Sequence, residues 1–141
     1  MSQRPVAIGV NSEVGSVGEG VTVLLLSVEV WSSRVVLHLA ARENTVTRAL
    51  LADWQAVFDA WAQSGAHGPP PADPARVLHE QLSVSLDDEA GHSFELSAAQ
   101  YGGQGTQWSA TQVYPCAPKG HLTLTFDSKS ERQTIVIPLH E

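Results

Sequence analysis

The side chains of this chain that could do chemistry are six histidines, one cysteine and one dense carboxylate run, Asp87-Asp88-Glu89. A zinc site is legible in a sequence when its ligands recur at short fixed spacings. His38, His67, His79, His92, His121 and His140 have no such spacing. His38 and His121 lie in strand-like alternations, on the sides opposite their neighbouring leucines, so they meet a third ligand only if two sheets bring them together. With Asp87, Asp88 and Glu89 they make up the enzymatic alternative, a metal-dependent or hydrolytic centre. The carboxylates sit at a hairpin tip. A calcium loop of the EF-hand kind needs spaced ligands and a later glutamate, and position 98 is alanine. A solvated tip that keeps a sheet edge polar accounts for the run more simply.

Cys116 stands between Pro115 and Pro118. A thiol becomes a nucleophile when a base or positive charge depresses its pKa, and no such partner is near in sequence. Gly15, Gly18 and Gly20 precede a strand rather than a helix, and 102–106 lacks the Lys-Ser/Thr of a phosphate loop. The expectation is therefore no catalytic residue, no metal and no cofactor.

The stretch that must position everything else is 21–41, VTVLLLSVEVWSSRVVLHLAA. Successive side chains of a strand face opposite sides. With a turn at Ser32-Ser33, or a four-residue loop from Trp31 to Arg34, Val30 meets Val35, Val28 meets Leu37, Leu26 meets Leu39 and Leu24 meets Ala41. Both apolar rows then share one face, and a one-residue slip would set an apolar row against a polar one. The other face holds Val23, Leu25, Ser27, Glu29, Trp31, Arg34, Val36, His38 and Ala40, and its apolar end calls for a cover.

From 45 to 64 the period changes to that of a helix. Leu50, Leu51, Trp54, Val57, Phe58 and Trp61 occupy an arc of about 120°. Asn44 or Thr45 can cap its start, and Gly65 stands where a left-handed residue ends a helix. The predicted resting place is the outer patch of the first hairpin, around Val36 and His38. Residues 67–74, HGPPPADP, form an extended connector.

The second half alternates again. Asp88 pairs with His92 across a loop with Gly91 in the left-handed position, setting Leu86 opposite Phe94 and Val84 opposite Leu96. Trp108 is the large inward residue of a strand over 106–114. Farther on, Asp127 pairs with Arg132, Leu124 with Ile135 and Leu122 with Ile137, while Pro138 ends the last strand or marks it as an edge. About seven such strands with one helical insertion indicate a mostly β, two-sheet antiparallel sandwich, residues 21–141, preceded at 1–20 by an arm or edge strand.

The elements SVEVWSSRVVLHLAA, SLDDEAGHSFEL, GGQGTQW and APKGHLTLTF resemble those of uncharacterised bacterial immunoglobulin-like sandwich proteins. That resemblance, over about 21–139, implies an immunoglobulin-like fold and no activity.

Composition narrows the functional classes. At 141 residues the chain suits one domain, and 43% hydrophobic against 16% charged residues describes a folded chain. A net charge of −7 opposes binding to nucleic acid or an anionic membrane. The first residues hold no apolar core of signal-peptide length, and a single cysteine suits a reducing compartment, so the expectation is cytoplasmic. The leading function is a non-enzymatic binding or protein-interaction domain, with a structural homodimer as a further alternative. Aromatic side chains dominate contact energetics, which singles out Trp54, Phe58 and Trp61 of the helix and Tyr101, Gln104 and Trp108 around the glycine loop.

Overall fold

The computed structural model describes residues 6–101, 108–129 and 131–138. Among the described residues, nine strands and two helices follow in the order β1 (Val6–Val17), β2 (Val21–Val30), β3 (Val35–Ala41), α1 (Thr45–Gln63), α2 (Pro74–His79), β4 (Ser83–Asp88), β5 (Ser93–Phe94), β6 (Ala98–Tyr101), β7 (Ser109–Tyr114), β8 (Leu122–Asp127) and β9 (Arg132–Ile137). Two antiparallel sheets result, β1-β2-β3-β7-β6 and β5-β4-β8-β9. Their inward rows make one core, in which Leu25, Leu37, Leu86, Leu122, Leu124 and Phe126 are fully buried. The architecture is the mostly β, two-sheet sandwich that alternation predicts, with Val6–Val17 recruited as a long edge strand.

The first hairpin keeps its predicted register only near the turn. Val30 pairs with Val35 and Val28 with Leu37, and the Trp31 N–H donates to the Arg34 carbonyl at 2.8 Å. Beyond Ser27 a β-bulge intervenes, so Leu25 pairs with Leu39 and Val23 with Ala41. Leu26, expected inside beside Leu39, is 36% exposed, whereas Leu25 is fully buried. The cause lies in the run itself. Val21, Val23 and Leu25 are in phase with one another, as are Val28 and Val30, but the two groups are out of phase by one residue. One extra residue at Leu26 lets both groups reach the core, so the bulge increases apolar burial rather than disturbing it.

Turn chemistry elsewhere follows expectation. Asp88 N–H donates to the His92 carbonyl at 3.0 Å, Gly91 has φ 86°, and Leu86 pairs with Phe94. The predicted Val84–Leu96 pair does not form. Strand β5 is two residues long, and after Phe94 the chain crosses to the other sheet, where the Ser97 N–H donates to the Val113 carbonyl at 3.0 Å. Leu96 is left exposed. Asp127 pairs with Arg132, Leu124 with Ile135 and Leu122 with Ile137, and β9 stops before Pro138 at the sheet edge.

Helix α1 starts on Asn44, whose side-chain oxygen accepts from the Thr47 N–H at 3.0 Å while the Thr47 hydroxyl accepts from the Asn44 N–H at 2.8 Å. This reciprocal cap satisfies two N–H groups that a helix start otherwise leaves open. At the other end the Gly65 N–H reaches the Ala62 carbonyl and the Ala66 N–H the Trp61 carbonyl, with Gly65 at φ 95°. That closing motif depends on the left-handed glycine.

Candidate functional site

Helix α1 is long but shallowly buried. It runs for 19 residues, yet only Thr47 is buried. Its apolar stripe does not lie over Val36 and His38 as predicted. Instead Val46 and Leu50, with Trp54, face the turn after β1 and helix α2, because the chain leaves β3 at the end of the sheet and the connector returns beside the helix. Helix α2 was not expected. Its signals were present in Asp73, whose carboxylate accepts from the Ala75 N–H at 2.8 Å, and in Pro74 in the first turn.

Between these elements lies an apolar cleft of about 360 Å³. Val46, Leu50, Trp54, Pro74, Val77 and Leu78 form its walls, with Glu19 and Gln81 among its few polar groups. Gly18 sets the approach of α2 to the β1–β2 turn. Its N–H donates to Gln81 Oε1 at 2.7 Å, its φ is 57°, and a Cβ there would stand 3.2 Å from Leu78 Cδ2. A larger residue would meet both backbone strain and a side-chain contact.

The aromatic residues continue the stripe beyond the cleft. Trp54 and Phe58 have ring centroids 5.1 Å apart, and Phe58 and Trp61 5.4 Å. Trp61 Nε1–H donates to the carbonyls of His67 at 3.1 Å and Gly68 at 3.3 Å, and Trp54 Nε1–H to that of Pro71 at 3.5 Å. The strip is thus clasped against the chain's own connector, and all three rings remain half-exposed.

The helical flank joins the sandwich through His79, which is 2% exposed. Its Nε2–H donates to the Trp108 carbonyl at 3.0 Å, an oxygen that also accepts the Ala41 N–H at 2.7 Å. Burial pulls the imidazole pKa below the ordinary histidine value, while the hydrogen bond to Trp108 opposes that shift. Sequence reasoning passed over His79. Ala75, Leu78 and His79 share the buried face of α2.

Of the groups of the enzymatic alternative, the structure brings His121 beside Glu89 and leaves His38 on the other sheet. His38 hydrogen-bonds Glu29 on the outer face of the five-stranded sheet. His121 stands before β8 of the other sheet, 3.6 Å from Glu89. Asp88 turns inward, its side chain inaccessible. Its carboxylate accepts from the His92 N–H at 2.9 Å, His92 Nδ1–H at 3.1 Å and the Lys119 N–H at 3.1 Å. Burial pushes this carboxyl's pKa up, but the hydrogen bonds from His92 and Lys119, aided by the His92 charge, outweigh it and bring it to about 2. Asp88 ties the β4–β5 turn to the 115–120 loop, and Asp87 is engaged by the Ser93 hydroxyl. Among the described residues no three of His, Cys, Asp and Glu are grouped to hold a metal. Cys116 is buried, and burial raises its thiol pKa to about 11, the reverse of what a nucleophile needs.

Of the residues singled out for binding, Trp54, Phe58 and Trp61 share one surface. Tyr101 is half-buried with its ring 6.2 Å from that of His79, Trp108 is a core residue at 5% exposure, and Gln104 lies outside the described residues. No helix among the described residues is long and apolar enough to cross a membrane. Compared with protein families, curated proteins and solved structures, the chain matches none.

Proposed function

We propose that the protein is a non-enzymatic binding module whose sandwich serves as scaffold and whose contact surface is the helical flank, α1 with α2 and the β1–β2 turn. One observation carries this reading: a 19-residue amphipathic helix buries a single residue, while its apolar stripe borders a cleft of about 360 Å³. Clefts of this size, mostly apolar with a few polar groups at the margin, are the usual form of a binding site. Function on a rigid scaffold collects in the segments that connect its strands, and α1 and α2 together form the longest such connection between two strands here.

The apolar probe Nile red tests the cleft. Its fluorescence is expected to rise on titration with the native chain, and Leu50→Asp is expected to remove most of that rise while leaving the β-sheet circular dichroism unchanged. Equal enhancement in both proteins would place the dye elsewhere and remove the support for this surface.

A further inference from the structure

We propose that the aromatic strip of α1 is a docking site for an extended proline-rich peptide, which the chain's own 67–71 segment occupies until such a peptide displaces it. The proposal deepens the binding-module reading and rests on it. Its basis is a match of repeats. Trp54 and Trp61 are seven residues apart on one helix, which separates their indole groups by about 10.5 Å along the axis. Gly68 and Pro71 are three residues apart, and three residues of polyproline II rise about 9.3 Å and complete one turn; the chain bends into this stretch at Gly68, whose φ is 76°, and Pro69. Pro69 and Pro70 each precede another proline, which restricts them to that extended conformation. The two spacings are close, and the Trp54 indole donates to Pro71 while that of Trp61 is shared between His67 and Gly68. Phe58 fills the interval between the donors with a ring against each neighbour.

Two features make this segment exchangeable. First, the strip contacts main-chain carbonyls, so it reads an extended proline-rich conformation and not a particular side-chain sequence. Second, residues 67–70 are exposed and Pro71 only half-buried, so this part can leave while Asp73 and Pro74 stay at the start of α2. Tethering gives the resident segment an effective concentration in the millimolar range, so a free peptide binds the native chain weakly and binds well once the tethered copy is disabled.

The test uses a fluorescein-labelled peptide of sequence HGPPPADP, titrated by anisotropy onto the native chain and onto the triple variant Pro69→Gly, Pro70→Gly, Pro71→Gly. The variant is expected to bind at least tenfold more tightly than the native chain. Adding Trp54→Phe and Trp61→Phe, which keep the rings and remove the N–H donors, is expected to weaken that binding about tenfold. Equal affinity of native and triple-variant chains, or equal binding of a control peptide HGAAAADA, overturns the proposal. Self-association of the native chain that the peptide does not dissolve also overturns it, assigning the strip to a second copy. If the triple variant loses its fold, the indole N–H resonances of the native chain decide: both Trp54 and Trp61 shift at millimolar peptide, or the proposal fails. Nile red still bound at Leu50 after such a failure would leave the broader binding reading standing.

Discussion

The sandwich and the helical flank are built from equally regular apolar patterns, yet they end in opposite states. In the sheets the inward rows meet one another, and Leu37, Leu122, Leu124 and Phe126 have no exposed surface. In α1 a stripe just as periodic is left half in water, and Val57 is 56% exposed. Periodicity specifies which face is apolar. What covers that face is decided by where the chain goes next, and here it returns over the helix as a thin proline-rich strap and six residues of α2. The sandwich therefore carries the stability, and the flank leaves its apolar stripe half in water.

The largest expected effect separates the two regions by substitution. Leu25→Ala should cost about 3 kcal/mol in urea denaturation, in the usual range for a fully buried leucine, and Leu50→Ala in the flank about 1 kcal/mol. Leu26→Ala should change stability by no more than about 0.5 kcal/mol, as for a surface site. Equal costs at Leu25 and Leu26 would mean that the bulge is absent and the comparison drawn on a wrong register.

A smaller effect sharpens the same contrast through pH. The pKa of His79 is lowered by burial, so the flank's attachment is complete above the unfolded histidine value of about 6.5 and weakens as pH falls below it. Asp88, brought to about 2, holds its corner of the sandwich fully above the unfolded value of about 3.9 and loses it only as pH falls toward about 2. Indole signals from Trp54 and Trp61 should change in the first window and β-sheet circular dichroism in the second. A single transition for both would show that the flank is no less firmly held than the sheets. His79→Gln should abolish the first change and leave the second.

Much of the sandwich was legible because strands obey a strict period of two and their turns have specific chemistry. The pairs Asp127–Arg132, Leu124–Ile135 and Leu86–Phe94 follow from alternation plus a loop length. Leu26 was misplaced because three consecutive leucines fit either phase, and the choice depended on Val21 and Val23 at the far end of the strand. The Val84–Leu96 pair failed for a different reason: a strand's length depends on when the chain is needed in the other sheet, which is not a local property. Of the candidate site, the stripe Trp54, Phe58 and Trp61 was legible from spacing alone. Its contact with Pro71 and Gly68 was not, since nothing in a helical period says that the next segment folds back along it. His79 was passed over because a six-residue helix gives too few positions for a period to stand out.

The central claim is that the helical flank is the less stable, separately opening part of a molecule whose sheets hold it together. Native-state hydrogen exchange under increasing urea tests this most directly. The account predicts that backbone amides of α1 exchange through an opening at least about 2 kcal/mol below global unfolding, while those of β2, β3 and β8 exchange only with the whole molecule. Amides of α1 that share the global free energy of the central strands would contradict it.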